Sequence, residues 1–212
     1  MAIAKVIDHP LAGNFLRTLR DRDTGIKDFR EAVHRLGLLL GVEVCRELKT
    51  ERDSVITPLD VAAECRCVRD DRVMLVPVLR AGLGMVESFL TLLPSARVGH
   101  IGMYRDHETL EAKPYVNTLP DAIDEYERII VLDPMLATGN SGAKALEFIT
   151  AKGYQNEQIL FVCMLATETG IKHINESFPG VKIYTAVIDP ALNDKAYIVP
   201  GLGDAGDRLY LL

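Results

Sequence analysis

Four largely apolar, strand-like runs, "RVMLVPVL", "RIIVLD", "QILFVCMLA" and "VKIYTAVID", constrain this chain more than any other feature. A strand with one wet face alternates apolar and polar residues, whereas a strand covered on both faces does not. Between the runs lie segments with helical spacing: "RAGLGMVESFLTLLP", "SGAKALEFITAKG" and "TGIKHINESFP". "RVGHIGMY" reads as a further strand. From Arg72 onward the order is therefore largely strand, helix, strand, helix. That order predicts an α/β fold, a parallel sheet flanked by helices, forming one domain over residues 1–212. Ligands of such sheets bind at the carboxyl ends of the strands.

The first third of the chain departs from this alternation. Ile26, Phe29, Val33, Leu36, Leu40, Val44 and Leu48 recur at steps of three or four, the stripe of a long amphipathic helix. Asp23 or Thr24 is the expected cap. "DSVITPLDVAAECRCVRDD" places a T-P-L-D turn between two short β-like runs, which predicts a projecting hairpin arm. Residues Tyr104 to Pro120 are polar and interrupted by prolines, so a mobile loop or weak hairpin, acting as a lid, is expected there. The last twenty residues, "NDKAYIVPGLGDAGDRLYLL", are Gly-rich and read as a loop-forming tail.

Composition removes several functional classes. The chain has 212 residues, a formal net charge of -6 and 25% charged residues, without the basic surplus of a generic nucleic-acid binder. No apolar stretch approaches the roughly 20 residues of a membrane span, and the N-terminus lacks the pattern of a signal peptide. Of four cysteines only Cys65 and Cys67 are close, and a lone C-x-C is neither a zinc knuckle nor a redox pair. Reduced cysteines in a cytoplasmic protein are expected.

Three successive strand ends carry the candidate chemistry. In "IIVLDPMLATGNS" an acid, Asp133, ends a core strand just before a loop and a helix. The start of a helix offers unpaired N–H groups and a positive dipole end, which together hold a phosphate. Gly139 permits close backbone approach, Thr138 and Ser141 add hydroxyls, and Asp133 can hold the hydroxyls of an attached sugar. A ribose 5-phosphate has both features, although an ordinary βα turn with a cap has the same pattern. "VLRAGLGM" adds Arg80, with Gly82 and Gly84 expected to turn amides inward, and "GMYRDHE" adds Arg105. Taken singly, either arginine fits a solvated or salt-bridged surface position. Together, two arginine forks beside an anion-cradling loop suit a pyrophosphate.

"VLDPMLATGNS" resembles the 5-phosphoribosyl 1-pyrophosphate (PRPP) motif of the type I phosphoribosyltransferases, in the form found in their uracil-using members. "YIVPGLGDAGDR" resembles the uracil-binding segment of that family, and "PVLRAGLGM", "GMYRDHETLEAKPY", "HPL" and "DFRE" extend the likeness over nearly the whole chain. The resemblance implies transfer of ribose 5-phosphate from PRPP to uracil, giving UMP and diphosphate in pyrimidine salvage. It implies that Arg80 and Arg105 bind the pyrophosphate. Asp133, Pro134, Met135, Leu136, Ala137, Thr138, Gly139, Asn140 and Ser141 would hold the ribose and its 5-phosphate. Ile198, Gly203, Asp204 and Ala205 would form a base-binding loop for uracil. Asp204 would also face PRPP and its magnesium, and Asp133, Arg105 and Asp204 would carry the reaction. One Mg2+ per subunit is expected to arrive with PRPP rather than on dedicated protein ligands. A homo-oligomer and a GTP effector are further expectations, with neither nucleic acid nor membrane as a partner.

Two positions depart from the common motif. Pro134 stands where most phosphoribosyltransferases have a second acid, so a two-carboxylate clamp on the ribose is not expected. Asn140 stands where the common form has Gly, and a residue tolerant of left-handed backbone is expected to preserve that turn. A competing reading is a uridine-nucleotide-sensing RNA-binding regulator on the same fold. It would need a basic face, whereas clusters such as "RTLRDRD" mix both signs.

Overall fold

The computed structural model describes residues 4–105, 112–122 and 125–210, and only the backbone at 104, 105 and 112–114. The chain opens with a two-residue strand, β1 (Lys5–Val6), and a helix, α1 (Pro10–Arg20). The periodicity reading did not assign α1, yet "HPL" signals its start. Pro10 takes a first-turn position where a missing N–H costs nothing, and His9 Nδ1 accepts the Leu11 N–H at 3.2 Å. The long helix α2 (Ile26–Cys45) buries Phe29, Val33, Leu36, Leu40 and Val44 as expected. Its cap is Gly25 rather than Asp23 or Thr24, because Thr24 Oγ1 turns back to donate to Thr18 O at 2.7 Å. Leu48, the last residue of the predicted stripe, lies beyond the helix end in a turn.

Next come the arm strands β2 (Thr50–Ile56) and β3 (Ala62–Val68), paired antiparallel around a Thr57–Val61 turn. The sheet proper follows with β4 (Val73–Leu79), helix α3 (Leu83–Leu92), β5 (Arg97–Val98) and β6 (Ile101–Arg105). The predicted single strand "RVGHIGMY" is thus broken, and both pieces lie parallel to β4. β7 (Ala112–Asn117) returns antiparallel to β6, so the segment expected as loop or weak hairpin is a hairpin, and its tip at 106–111 lies outside the described residues.

The remaining elements are β8 (Arg128–Leu132), β9 (Met135–Leu136), α4 (Asn140–Ala151), β10 (Ile159–Val162), β11 (Leu165–Thr167), α5 (Glu168–Ser177), β12 (Lys182–Thr185), β13 (Val187–Asp189), β14 (Ala191–Leu192), β15 (Ile198–Val199) and α6 (Ala205–Tyr210). The main sheet has the order β1-β12-β10-β8-β4-β6-β7, parallel except at β6–β7. Alternate residues of the central strands feed two cores. Leu75, Ile130, Leu132, Leu160 and Val162 face α2 and α3, while Met74, Val76, Ile129, Val131 and Phe161 face α4 and α5. Both faces are dry, which is the physical reason the strands read as unbroken apolar runs. At β8 and β4 this stacks the ends carrying Asp133 and Arg80 side by side, with Arg105 ending the next strand.

Candidate active site

β8 cannot run straight past its end, since Pro134 has no N–H to offer the ladder. The chain steps sideways instead. Asp133 N–H donates to Val162 O at 3.1 Å, and Pro134 O accepts from Met164 and Leu165 N–H at 2.9 and 3.1 Å. β10 and β12 step at the same level, and the continuations form a small parallel sheet, β13-β11-β9. This second sheet sits at the carboxyl ends of the main one and carries the candidate site.

After β9 the loop Ala137–Gly139 leads into α4. Two residues of the neighbouring segment grip its carbonyls from behind: Thr167 Oγ1 donates to Ala137 O at 2.6 Å and His173 Nδ1–H donates to Thr138 O at 3.0 Å. Neither Thr167 nor His173 was found by reading the sequence, because their partners lie 30 and 35 residues away. Gly139 takes the left-handed backbone, φ 84°, and has no side chain to cap the helix it begins, while Thr138 Oγ1 accepts the Asn140 N–H at a long 3.4 Å. The next first-turn N–H groups of α4 have no partners inside the helix, so this end is suited to an anion. Asn140 is the first helical residue, with ordinary negative φ, so the expected demand for left-handed tolerance falls on Gly139 instead. Thr138 is half-buried, whereas Asn140 and Ser141 are exposed. Pro134 and Leu136 are buried, and Leu136 packs in the α4–α5 core.

The other strand ends differ from expectation in one respect. The amides of Gly82 and Gly84 are not turned inward to a ligand, since they close turns onto Val78 O at 2.9 Å and Ala81 O at 3.1 Å. Arg80 is exposed at the end of β4, after a cis Leu79–Arg80 peptide, and has no carboxylate partner among the described residues. Arg105 closes β6, and its side chain lies outside the described part.

The tail folds back over these strand ends. A cavity of about 170 Å³ separates Asp133, Met135 and Ala137 on one side from Ile198, Gly203 and Asp204 on the other, with Ala205 also in its wall. Ordinary ligand pockets run from about 300 to 1,000 Å³, so this one suits a single small ring. Gly203 has φ 83°, and a Cβ built there would meet only Arg208 Cδ, at 4.0 Å. Its need for glycine therefore comes from the backbone conformation, not from crowding by neighbouring protein atoms. Asp204 Oδ1 accepts the Asp207 N–H at 2.9 Å and so caps α6 while lining the cavity. Arg208 anchors the tail from below by donating to the carbonyls of Leu19, Leu202 and Asp21, with its guanidinium 4.2 Å from the Phe29 ring centre. Tyr197, also unassigned from sequence, lines the same cavity.

Asp133 is the electrostatic centre. Asp133 is half-buried in the cavity wall, and the loss of water around its carboxyl pushes it from 3.8 up to about 7, opposed only by the Met135 N–H at 3.3 Å from Oδ1. A carboxylate kept this short of solvent and donors gains when hydroxyls or cationic charge arrive. Asp133 and Asp204 are two carboxylates on one cavity, and no group of three or more His, Cys, Asp or Glu suited to a metal occurs among the described residues. That donor set fits a magnesium ion that keeps waters and takes further oxygens from a substrate. Among the described residues no helix is long and apolar enough to cross a membrane.

The profile of the uracil phosphoribosyltransferase family matches residues 6–211. A uracil phosphoribosyltransferase from Natranaerobius thermophilus is 50% identical over 210 residues, covering 99% of each chain. One from Symbiobacterium thermophilum is 48% identical over the same share of both. Among solved structures, that of the AQ2163 protein from Aquifex aeolicus superposes with a TM-score of 0.89 at 35% identity, covering 99% of each chain. With a family match that runs over nearly the whole chain and relatives about half identical along their full length, the chain belongs to the uracil phosphoribosyltransferase family.

Proposed function

We propose that the protein joins uracil to the ribose 5-phosphate of PRPP, releasing diphosphate and forming UMP, as one step of pyrimidine salvage. The observation that carries this reading is the meeting of Asp133, Met135 and Ala137 with Ile198, Gly203 and Asp204 of the tail across one ring-sized cavity. The bond from C1′ to the diphosphate oxygen breaks, the bond from C1′ to uracil N1 forms, and the N1 proton leaves. The transition state is loose and oxocarbenium-like, so the protein's work is to steady the leaving group and aim the acceptor.

The residues divide that work. The open N-terminus of α4 holds the 5-phosphate through backbone N–H groups and the Thr138 and Ser141 hydroxyls. Asp133 holds the ribose hydroxyls and offsets positive charge growing on the ring. Arg80 and Arg105 neutralise the departing diphosphate, and bound magnesium would supply further charge there, with Asp133 and Asp204 as the nearby carboxylates. Backbone N–H and C=O groups of the tail read the acceptor–donor–acceptor edge of uracil, a neutral pattern that needs no charged side chain. Nothing favours the RNA-binding alternative.

Incubation of the protein with PRPP, Mg2+ and uracil, hypoxanthine or adenine in turn tests the substrate. Nucleotide and diphosphate are expected with uracil alone, and turnover of a purine instead would overturn the assignment. For the leaving-group role, Arg80→Ala is the direct probe. Hydrogen bonds to charged groups contribute about 1.5–3 kcal/mol, so kcat/KM for PRPP should fall by roughly one to two decades. The KM for uracil should change little. Equal loss for both substrates would assign Arg80 to support of the fold, and the same comparison applies to Arg105→Ala.

A further inference from the structure

A nearly buried ion pair lies behind the tail, where no role in the reaction has been given to it. Asp189 ends β13 and its side chain is 4% exposed, while that of Arg20, the last residue of α1, is 25% exposed. The two form a fork: Arg20 Nη1 donates to Asp189 Oδ2 at 2.8 Å and Nη2 to Oδ1 at 2.6 Å. The same two side chains then take both backbone polar groups of one tail residue. Gly201 N–H donates to Asp189 Oδ2 at 3.0 Å, and Gly201 O accepts from Arg20 Nη1 at 2.9 Å.

Gly201 stands between Ile198 and Gly203, which both line the base cavity. Neither Arg20 nor Asp189 lines it. From this arrangement we infer that Arg20 and Asp189 are positioning residues for the pyrimidine base, acting through Gly201 to set the height and tilt of the base-reading loop.

Physical considerations favour this over a purely stabilising role. Burying two charges removes their hydration, and an ion pair of this kind often stabilises no more than apolar residues of the same volume. What the pair provides is geometry. A planar guanidinium fixes a carboxylate in two bonds and keeps one donor direction for the Gly201 carbonyl, which a lysine ammonium cannot reproduce. The tail needs such a fixture because it contributes backbone groups, and a backbone reader is only as selective as its position is definite. The three segments brought together are separated by up to 181 residues, so the clamp also ties the base site to α1.

This inference rests on the uracil reading above, and two measurements keep the two ideas apart. In Arg20→Lys and Arg20→Gln the KM for uracil should rise by roughly tenfold or more, and the KM for PRPP should stay within about twofold. Thermal protection by PRPP should persist. Hydrogen exchange, which needs no turnover, should quicken at residues 198–204 in Arg20→Gln and remain as in the parent at residues 133–141. Parallel rises in both KM values with a lowered Tm would make the pair merely structural and overturn the inference. Unchanged exchange at Gly201 would overturn it as well. A parent enzyme that ignores uracil would overturn the substrate reading, while the exchange result would still decide whether the pair sets the loop.

Discussion

Asp133→Asn is expected to lower turnover by roughly two to three decades while making the protein more stable above neutral pH. The first effect follows from where the charge is needed. A carboxylate beside an oxocarbenium-like ribose gains most as positive charge develops, so kcat should suffer far more than PRPP affinity. The second follows from the desolvation that raises this carboxyl from 3.8 to about 7. The folded chain keeps the proton to higher pH than the unfolded chain does. Protonation therefore favours folding, and stability declines as pH rises from about 4 through about 7. Asparagine carries no such charge. The Tm of Asp133→Asn should nearly equal that of the parent at about pH 4 and exceed it at about pH 8.5. The acid limb of kcat/KM for PRPP, expected near pH 7 in the parent, should vanish in the variant. Parental turnover in Asp133→Asn would remove this residue from the reaction.

Gly203→Val is expected to abolish uracil use while leaving PRPP binding in place. A residue other than glycine in the left-handed region costs roughly 1–2 kcal/mol, and Gly203 sits there at φ 83°. A β-branched side chain tolerates it worst. The surrounding protein leaves open space at this Cβ, so the variant should relieve the strain by rotating the backbone rather than by unfolding. Rotation moves the amides beside the cavity, and the base loses its partners. PRPP at a hundredfold excess over its Kd stabilises a protein by about 2.7 kcal/mol, which should raise Tm in variant and parent alike. Full uracil activity in Gly203→Val would place the base elsewhere.

The strand runs and helical stripes were legible in the sequence for a definite reason. Burial on both faces of a parallel sheet writes itself into consecutive residues, and the α2 stripe from Ile26 to Val44 repeats within a few turns. The turn from β8 into α4 was legible too, since Asp133 through Ser141 are contiguous and their backbone demands are local. The lapses fell where neighbours compete. Thr24 was passed over as a cap once its hydroxyl had a carbonyl on α1. Gly82 and Gly84 looked like anion donors until their amides were spent on turns.

Sequence alone determined the fold class and, through its motifs, the family. Tertiary structure decided how those parts work together. It placed the step at Pro134 that starts a second sheet, the grip of Thr167 and His173 on the loop carbonyls, and the dry setting that raises Asp133. It also brought Arg20, Asp189 and Gly201 to one point. Each depends on groups 12 to 181 positions apart, or on how much water the packed chain excludes. Periodicity within a window of a dozen residues records which face is buried; it holds no record of which distant group will come to rest against it.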